Sequence, residues 1–329
     1  MNRFLTPLLA LLLPVSVVAQ LPEPNGAGLQ AGTLPSSWIT GGPRCMEVPD
    51  FQVHEYNANL YILRESGCIN YEKPFLYLFF GKDKALLYDT GAGVTEVAHV
   101  ITGVMNKWLQ RNKRESIPLI VTHSHNHGDH TSGDAQLKAL PNVTFVGADI
   151  DSVKAFYGFK KWPEDVIHLD LGERIIDVLG IPGHQDASIA LYDRATGVLL
   201  TGDTVYPGRL YVRDAPVFAA SIHRLVEFTR DLPVTHVLGT HIEESATPFV
   251  DFPIGSMYQP NEHILELTRG TLLEIDEAMQ KMGANVRRYA MRDVTIYPNT
   301  PDGSTKQREL QRKTQTWQRE HMWNQLETK

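Results

Sequence analysis

Cysteine is scarce: the 329-residue chain has only Cys45 and Cys68. The pair either closes one disulfide in an oxidising compartment or stays as two buried thiols. Neither lies near the histidine-rich stretch described below, so they are not read as metal ligands. A basic surplus is missing as well. Lys and Arg total 31 against 38 Asp and Glu, a formal charge of -7, which argues against a general nucleic-acid binder. After the first 19 residues no run of 18 apolar residues occurs, so no stable membrane insertion is expected of the mature chain. No repeat of 20 to 50 residues is found. At 42% hydrophobic and 21% charged residues, the chain is neither disordered nor low-complexity.

Residues 1–19 carry Arg3, then an uncharged apolar stretch ending in Val17-Val18-Ala19. This reads as a signal peptide with cleavage before Gln20 rather than as an anchor. The stretch is short for a bilayer span, and Pro7 and Pro14 interrupt it. A secreted or periplasmic protein is expected. Residues 20–50 are an irregular lead-in rich in Gly, Pro and Ser. Residues 51–298 are the expected catalytic domain. The polar tail, 299–329, is either a docked helix or a loose extension.

Within 51–298 short apolar runs alternate with helical periodicity. Strands are expected over 51–64, 75–80, 85–88, 118–121, 143–146, 175–181, 188–192, 198–201, 235–238, 286–289 and 294–297. Val97, Ile101, Val104 and Trp108 recur at helical spacing. Further helices are expected around 222–229 and over 264–282, the latter ended by Gly283. This alternation means a layered α/β fold.

The most informative segment is Thr122-His123-Ser124-His125-Asn126-His127-Gly128-Asp129-His130. The pattern H-x-H-x-D-H fits it in one register only, that of His125, His127, Asp129 and His130. Residues two apart at a strand end project to the same side, so His125 and His127 can grip one metal. Gly128 lets the chain turn, and Asp129 and His130 can then face a second. Imidazole and carboxylate are the ligand types of catalytic zinc sites. Gly183-His184, Thr201-Gly202-Asp203 and Gly239-Thr240-His241 each place a ligand-type residue beside a glycine, just past an apolar run.

In this order, and with Asp89-Thr90-Gly91 ahead of them, these segments resemble the metallo-β-lactamase superfamily, specifically an exported subgroup with a bridging Asp. The resemblance covers roughly residues 51–298. It implies an αββα sandwich of four layers with the site at one edge of the sheets. Carried over residue by residue, His125, His127 and His184 hold the first metal and Asp129, His130 and His241 the second. Asp203 bridges both, and Asp89 supports the metal loop. Two Zn²⁺ are implied, with manganese or iron also suited to the bridging oxygen ligand. The implied nucleophile is a metal-bridging hydroxide, oriented by Asp129. With two divalent ions, two aspartates and this hydroxide the site carries about +1, which favours anionic substrates.

The chain departs from many members in having His123-Ser124 between Thr122 and the motif. His123 therefore either orients a ligand from outside the set or replaces His125 in it. Tyr206, Arg209 and Tyr211 follow Asp203 and either contact substrate or form an exposed turn around Pro207-Gly208. Tyr258 and His263 are further pocket candidates. A bridging Asp points to hydrolysis of an ester, thioester or lactone in a small-molecule substrate. Hydrolysis of a β-lactam or phosphodiester, or metal binding without catalysis, are the alternatives. Oligomeric state is not legible.

Overall fold

Pairing of the apolar runs builds two six-stranded sheets face to face. The computed structural model describes residues 28–42, 45–93, 95–299 and 301–323, and the expected signal peptide, 1–19, lies outside them. The first sheet runs in the order β1 (Phe51–Asn57), β2 (Leu60–Glu65), β3 (Phe75–Phe80), β4 (Ala85–Tyr88), β5 (Leu119–Thr122), β6 (Val143–Phe145). Next in the chain come β7 (Val166–Asp170), β8 (Ile175–Gly180), β9 (Ile189–Asp193), β10 (Val198–Leu200), β11 (Arg209–Val212), β12 (His236–Leu238) and β13 (Glu266–Leu267). The second sheet has the order β13-β12-β10-β9-β8-β7. A small third sheet pairs β11 with β15 (Thr295–Pro298), which also pairs with β14 (Tyr289–Ala290). The helices are α1 (Val97–Arg111), α2 (Gly128–Thr131), α3 (Asp134–Lys138), α4 (Ile150–Tyr157), α5 (Ala215–Phe228), α6 (Arg269–Met282) and α7 (Pro301–Gln318).

The run Phe75-Leu76-Tyr77-Leu78-Phe79-Phe80 is apolar throughout because both faces of β3 are covered. Tyr77 and Phe79 point inward, into a core shared with Val178, Leu191 and Leu200 of the second sheet. Leu76 and Leu78 point outward, against Val97, Ile101 and Trp108 of α1. On the other side α5 and α6 cover the second sheet through Ile222, Leu225, Leu272 and Ile275. Four layers, αββα, result.

Several boundaries differ from the sequence reading. The strand expected over 51–64 is a hairpin, because the Asn57 side chain accepts the Asn59 amide (2.9 Å) and turns the chain. The helix expected from 264 starts at Arg269, since Glu266 and Leu267 pair with β12. The edge strand β7 was missed because its exposed face carries polar residues. Also missed was α4, two turns long, capped by Asp149 at its start and by left-handed Gly158 at its end. Of the two readings of the tail, the docked helix holds: Gln318 is buried, and its Oε1 accepts the Met257 amide (2.7 Å).

Two parallel pairings place the loops that matter. β4 and β5 run side by side with Tyr88 opposite Thr122, so Asp89 and the histidine segment leave the sheet together. β10 and β12 do the same with Leu200 opposite Leu238, which brings Asp203 and His241 to that edge.

Cys45 and Cys68 form a disulfide across 23 residues. Closing a loop of that size restricts the unfolded chain by about 3 kcal/mol. Replacing both cysteines by serine should lower the unfolding free energy by about that much, read as a reduced denaturant midpoint with an altered slope.

Candidate metal centre

Seven side chains from four loops converge in two sets. One is His125, His127, His184 and Asp203; the other is Asp129, His130, Asp203 and His241. Within each set the donor atoms lie within 4.8 Å of one another. His127 Nδ1 is 2.8 Å from His125 Nε2 and 3.2 Å from His184 Nε2. Asp203 Oδ2 is 3.6 Å from both His125 Nε2 and His184 Nε2. Its other oxygen, Oδ1, faces the second set, 3.5 Å from His130 Nε2 and 3.3 Å from His241 Nε2. Asp129 Oδ2 is 3.2 Å from each of those two nitrogens.

These spacings decide whether the residues fit metal ions. Donors about 2.0–2.2 Å from a tetrahedral zinc stand roughly 3.3–3.5 Å from one another. The distances here fall around that value. His130 Nε2 is moreover buried without any hydrogen-bond partner, an expensive arrangement unless a cation meets it. Each set can hold one ion.

The far side of most rings is fixed by hydrogen bonds. His184 Nδ1 donates to the Tyr211 carbonyl (3.0 Å) and His241 Nδ1 to the Glu72 carbonyl (2.9 Å). His125 Nδ1 meets Ser124 Oγ (2.9 Å). Asp89 ties two parts of the motif together: Oδ1 accepts the Ser124 amide (2.6 Å) and Oδ2 meets His130 Nδ1 (3.0 Å). Such contacts fix ring orientation and tautomer. Gly202 is left-handed (φ 53°), and a Cβ there would lie 2.7 Å from Ser124 Cβ, so glycine lets the Asp203 turn pack on the motif.

The sequence candidates divide as follows. His125, His127, Asp129, His130, His184, Asp203 and His241 are brought together. His123 stands outside both sets, with Nε2 on Asp134 (2.9 Å) and its ring against Phe145. Tyr206 and Tyr211 line the cavity over the two sets, which encloses about 260 Å³. Of the two readings of Tyr206, Arg209 and Tyr211, the exposed turn does not hold: Pro207 and Gly208 are buried, β11 follows at Arg209, and Arg209 is buried between Glu243 (2.7 Å) and Asp251 (3.0 Å). Two candidates are misplaced. His263 bonds Asp293 (3.2 Å) and lines a separate cavity with Trp38 and Pro260. Tyr258 lines neither cavity; its carbonyl accepts from the Gln318 amide (3.3 Å). The segment carrying both turns back to pair Ser245 with Glu262, which carries them away from the donors. Sequence reasoning missed the walls formed by Tyr71, Glu72, Glu243 and α7. A charged loop and a polar tail look alike in sequence whether or not they face a cavity.

The charges are arranged asymmetrically. Burial holds His125 well below the ordinary imidazole value and brings His184 down to about 4. Burial also opposes charge on His130 and His241, but the carboxylates of Asp129 and Asp203 outweigh it and raise both. Asp129 and Asp203 are correspondingly held low, the imidazoles overcoming the burial. Glu72 rises to about 7 through burial and the nearby Asp129.

The sequence pattern of the metallo-beta-lactamase superfamily matches residues 74–278. The chain belongs to this superfamily. Its members usually bind metals, and the relatives found are hydrolases. One is the hydroxyacylglutathione hydrolase of Methylococcus capsulatus, 31% identical over 43% of this chain and 55% of the relative. Another is the acyl-coenzyme A thioesterase MBLAC2 of Bos taurus, 26% identical over 50% of this chain and 72% of the relative. The chain thus spans about half the length of the first. Among solved structures, a superfamily member named as a metallo-beta-lactamase from Pontibacter korlensis aligns over 70% of this chain and 99% of its own, with TM-score 0.45 and 15% identity.

The split in charge is testable. In the metal-free protein at about pH 5, His130 and His241 should be protonated while His125 and His184 are neutral, as read by imidazole NMR. The stability that follows has two signs. His125 and His184 titrate below the unfolded value of 6.5, so their contribution is complete above it and is lost as pH falls. His130 and His241 titrate above it, so theirs is complete below 6.5 and is lost as pH rises through the raised values.

Proposed function

We propose that the chain is an exported, dinuclear metal-dependent hydrolase that cleaves an ester, thioester or lactone bond in a small molecule. The observation that carries this reading is Asp203, whose two oxygens face different donor sets at 3.3–3.6 Å. A single carboxylate placed in this way would be shared by two ions if both sets were filled. His125, His127 and His184 would hold one ion, and Asp129, His130 and His241 the other. Zinc suits this mixture of imidazole and carboxylate, and manganese or iron also suit the shared oxygen ligand.

A bound ion pair supplies an activated water and polarises the oxygen that gains charge in the transition state. The chain's own residues do the rest. Asp129 lines the cavity and is held as a carboxylate, so it can orient that water and take its proton. Tyr206 and Tyr211 wall the cavity and confine the substrate. Tyr206 keeps its hydroxyl turned away, donating to the Arg209 carbonyl and Glu243 Oε2 (3.0 Å). Asp89 and His123 position the loop without touching the reacting atoms. The two relatives, named for hydrolysing hydroxyacylglutathione and acyl-coenzyme A, support an acyl substrate.

The domain is taken as residues 51–298, after a cleaved signal peptide, 1–19, and a lead-in, 20–50. The Cys45–Cys68 disulfide supports an oxidising location, the periplasm or the medium.

The test is metal content of the purified mature protein, beside hydrolysis of a lactone, a thioester, a phosphodiester and a cephalosporin. About two metals per chain are expected, with turnover of the lactone or thioester that a chelator removes. Asp203→Ala should lose metal and lower kcat/KM by about a thousandfold or more, the several kcal/mol that metal catalysis supplies. One metal in the fully active protein, or an active Asp203→Ala, overturns the proposal.

A further inference from the structure

The last helix, α7, lies beyond the segment that matches the superfamily, yet it reaches the centre. Gln307, Arg308 and Gln311 line the same cavity as His127, Asp129 and Asp203. From these positions we infer that Arg308 selects the substrate by receiving an anionic group, a carboxylate or a phosphate, at the end of the molecule remote from the cleaved bond. The inference rests on the hydrolytic reading above.

The first support is that α7 is held in place. Gln318 is buried at its C-terminal end, with Oε1 on the Met257 amide (2.7 Å) and Nε2 on the Tyr258 carbonyl (3.3 Å). Further along, the helix backbone packs on Gly255, which is left-handed (φ 87°). A Cβ there would lie 2.8 Å from Gln311 Cα, so any other residue would push the helix off. Arg308 lies one turn before Gln311, on the same face. Its place on the rim therefore follows from two anchors in the segment that closes this side of the cavity.

The second support is charge. Glu72, Asp129, Asp203 and Glu243 line the cavity as carboxyl groups, and Arg308 is the one Lys or Arg among the described lining residues. Most of the carboxylates already have partners. Asp129 faces His130 and His241, Asp203 faces four imidazoles and Thr240, and Glu243 pairs with Arg209. Arg308 has no ion pair among the described residues, and it is exposed. An unpaired guanidinium at the mouth of a reaction cavity can take a carboxylate or phosphate in a two-pronged geometry that lysine cannot reproduce. A substrate with its acyl bond at the donor sets and an anion at its other end would satisfy both.

The test uses the full-length, metal-loaded protein and matched para-nitrophenyl esters. Para-nitrophenyl butyrate is neutral, mono-para-nitrophenyl glutarate adds a terminal carboxylate, and the corresponding phosphonate-ended ester supplies the other anion. Arg308→Ala should raise KM for the anionic esters by about tenfold, leave kcat within about twofold, and leave the neutral ester unchanged. Arg308→Lys should recover part of the loss. Gln318→Ala, which frees the helix end, should raise the same KM values by a smaller factor. The ratio between the two anionic esters tells carboxylate from phosphate. Calorimetric binding of glutarate against butyrate, to the parent and to Arg308→Ala, reads the contact without turnover. Weaker glutarate binding in Arg308→Ala, with no ester hydrolysed, would support the role of Arg308 and count against the hydrolytic reading. Equal binding of glutarate by both proteins, or an equal loss for neutral and anionic esters, would overturn the inference.

Discussion

Crowding of like donors is the constraint on which this molecule depends. Five imidazoles and two carboxylates turn their donor atoms toward one another in a buried space, with nitrogens as close as 2.8 Å. Without a cation such a set is stressed: burial penalises every charge, and the lone pairs repel. The protein resolves this unevenly. In the second set, the carboxylates of Asp129 and Asp203 raise His130 and His241 and so favour their charged forms. In the first, neutral imidazoles remain. A pair of divalent ions would relieve both sets at once, and Asp203 is the residue through which the two would communicate.

Holding that arrangement is the work of the surrounding fold. Strands β4, β5, β10 and β12 end at one edge of the sandwich, and parallel register makes the loops leave together. Backbone carbonyls of Tyr211 and Glu72 then orient two of the rings, and Asp89 joins a third to the amide of Ser124. Asp89 does this from a left-handed conformation (φ 72°), one that aspartate tolerates better than most residues. The loop that carries Glu72 is itself restrained, by the disulfide at Cys68 and by Lys73, whose ammonium donates to the Tyr71 and Ser256 (2.8 Å) carbonyls.

The chemistry of the cavity is thus assembled from parts of different character. The donors belong to the segment shared with the superfamily. The walls come from the loop between β2 and β3, from the stretch after β12 and from the terminal helix. On the hydrolytic reading proposed above, substrate choice would depend on these walls, because the donors alone would serve any acyl group that reached them. The fixed position of α7 makes the tail part of the site rather than an appendage.

Sequence alone determined the seven donor residues that converge at the centre, the layered α/β class and most of the strands. The motif carries its own geometry, since two-residue spacing at a strand end and a glycine turn bring His125, His127, Asp129 and His130 together by local rules. His184, Asp203 and His241 were legible because each follows an apolar run that had to be a strand. What only the tertiary structure decided was contact between distant segments. The bonding of Cys45 to Cys68, the exclusion of His263 and Tyr258 from the cavity, the burial of Arg209 and the presence of Arg308 at the rim all depend on which loops meet. Composition and periodicity report how a segment meets water or core, and local spacing reports what neighbours in the chain can do. Neither carries the distance between residues that only the packed sheets bring together.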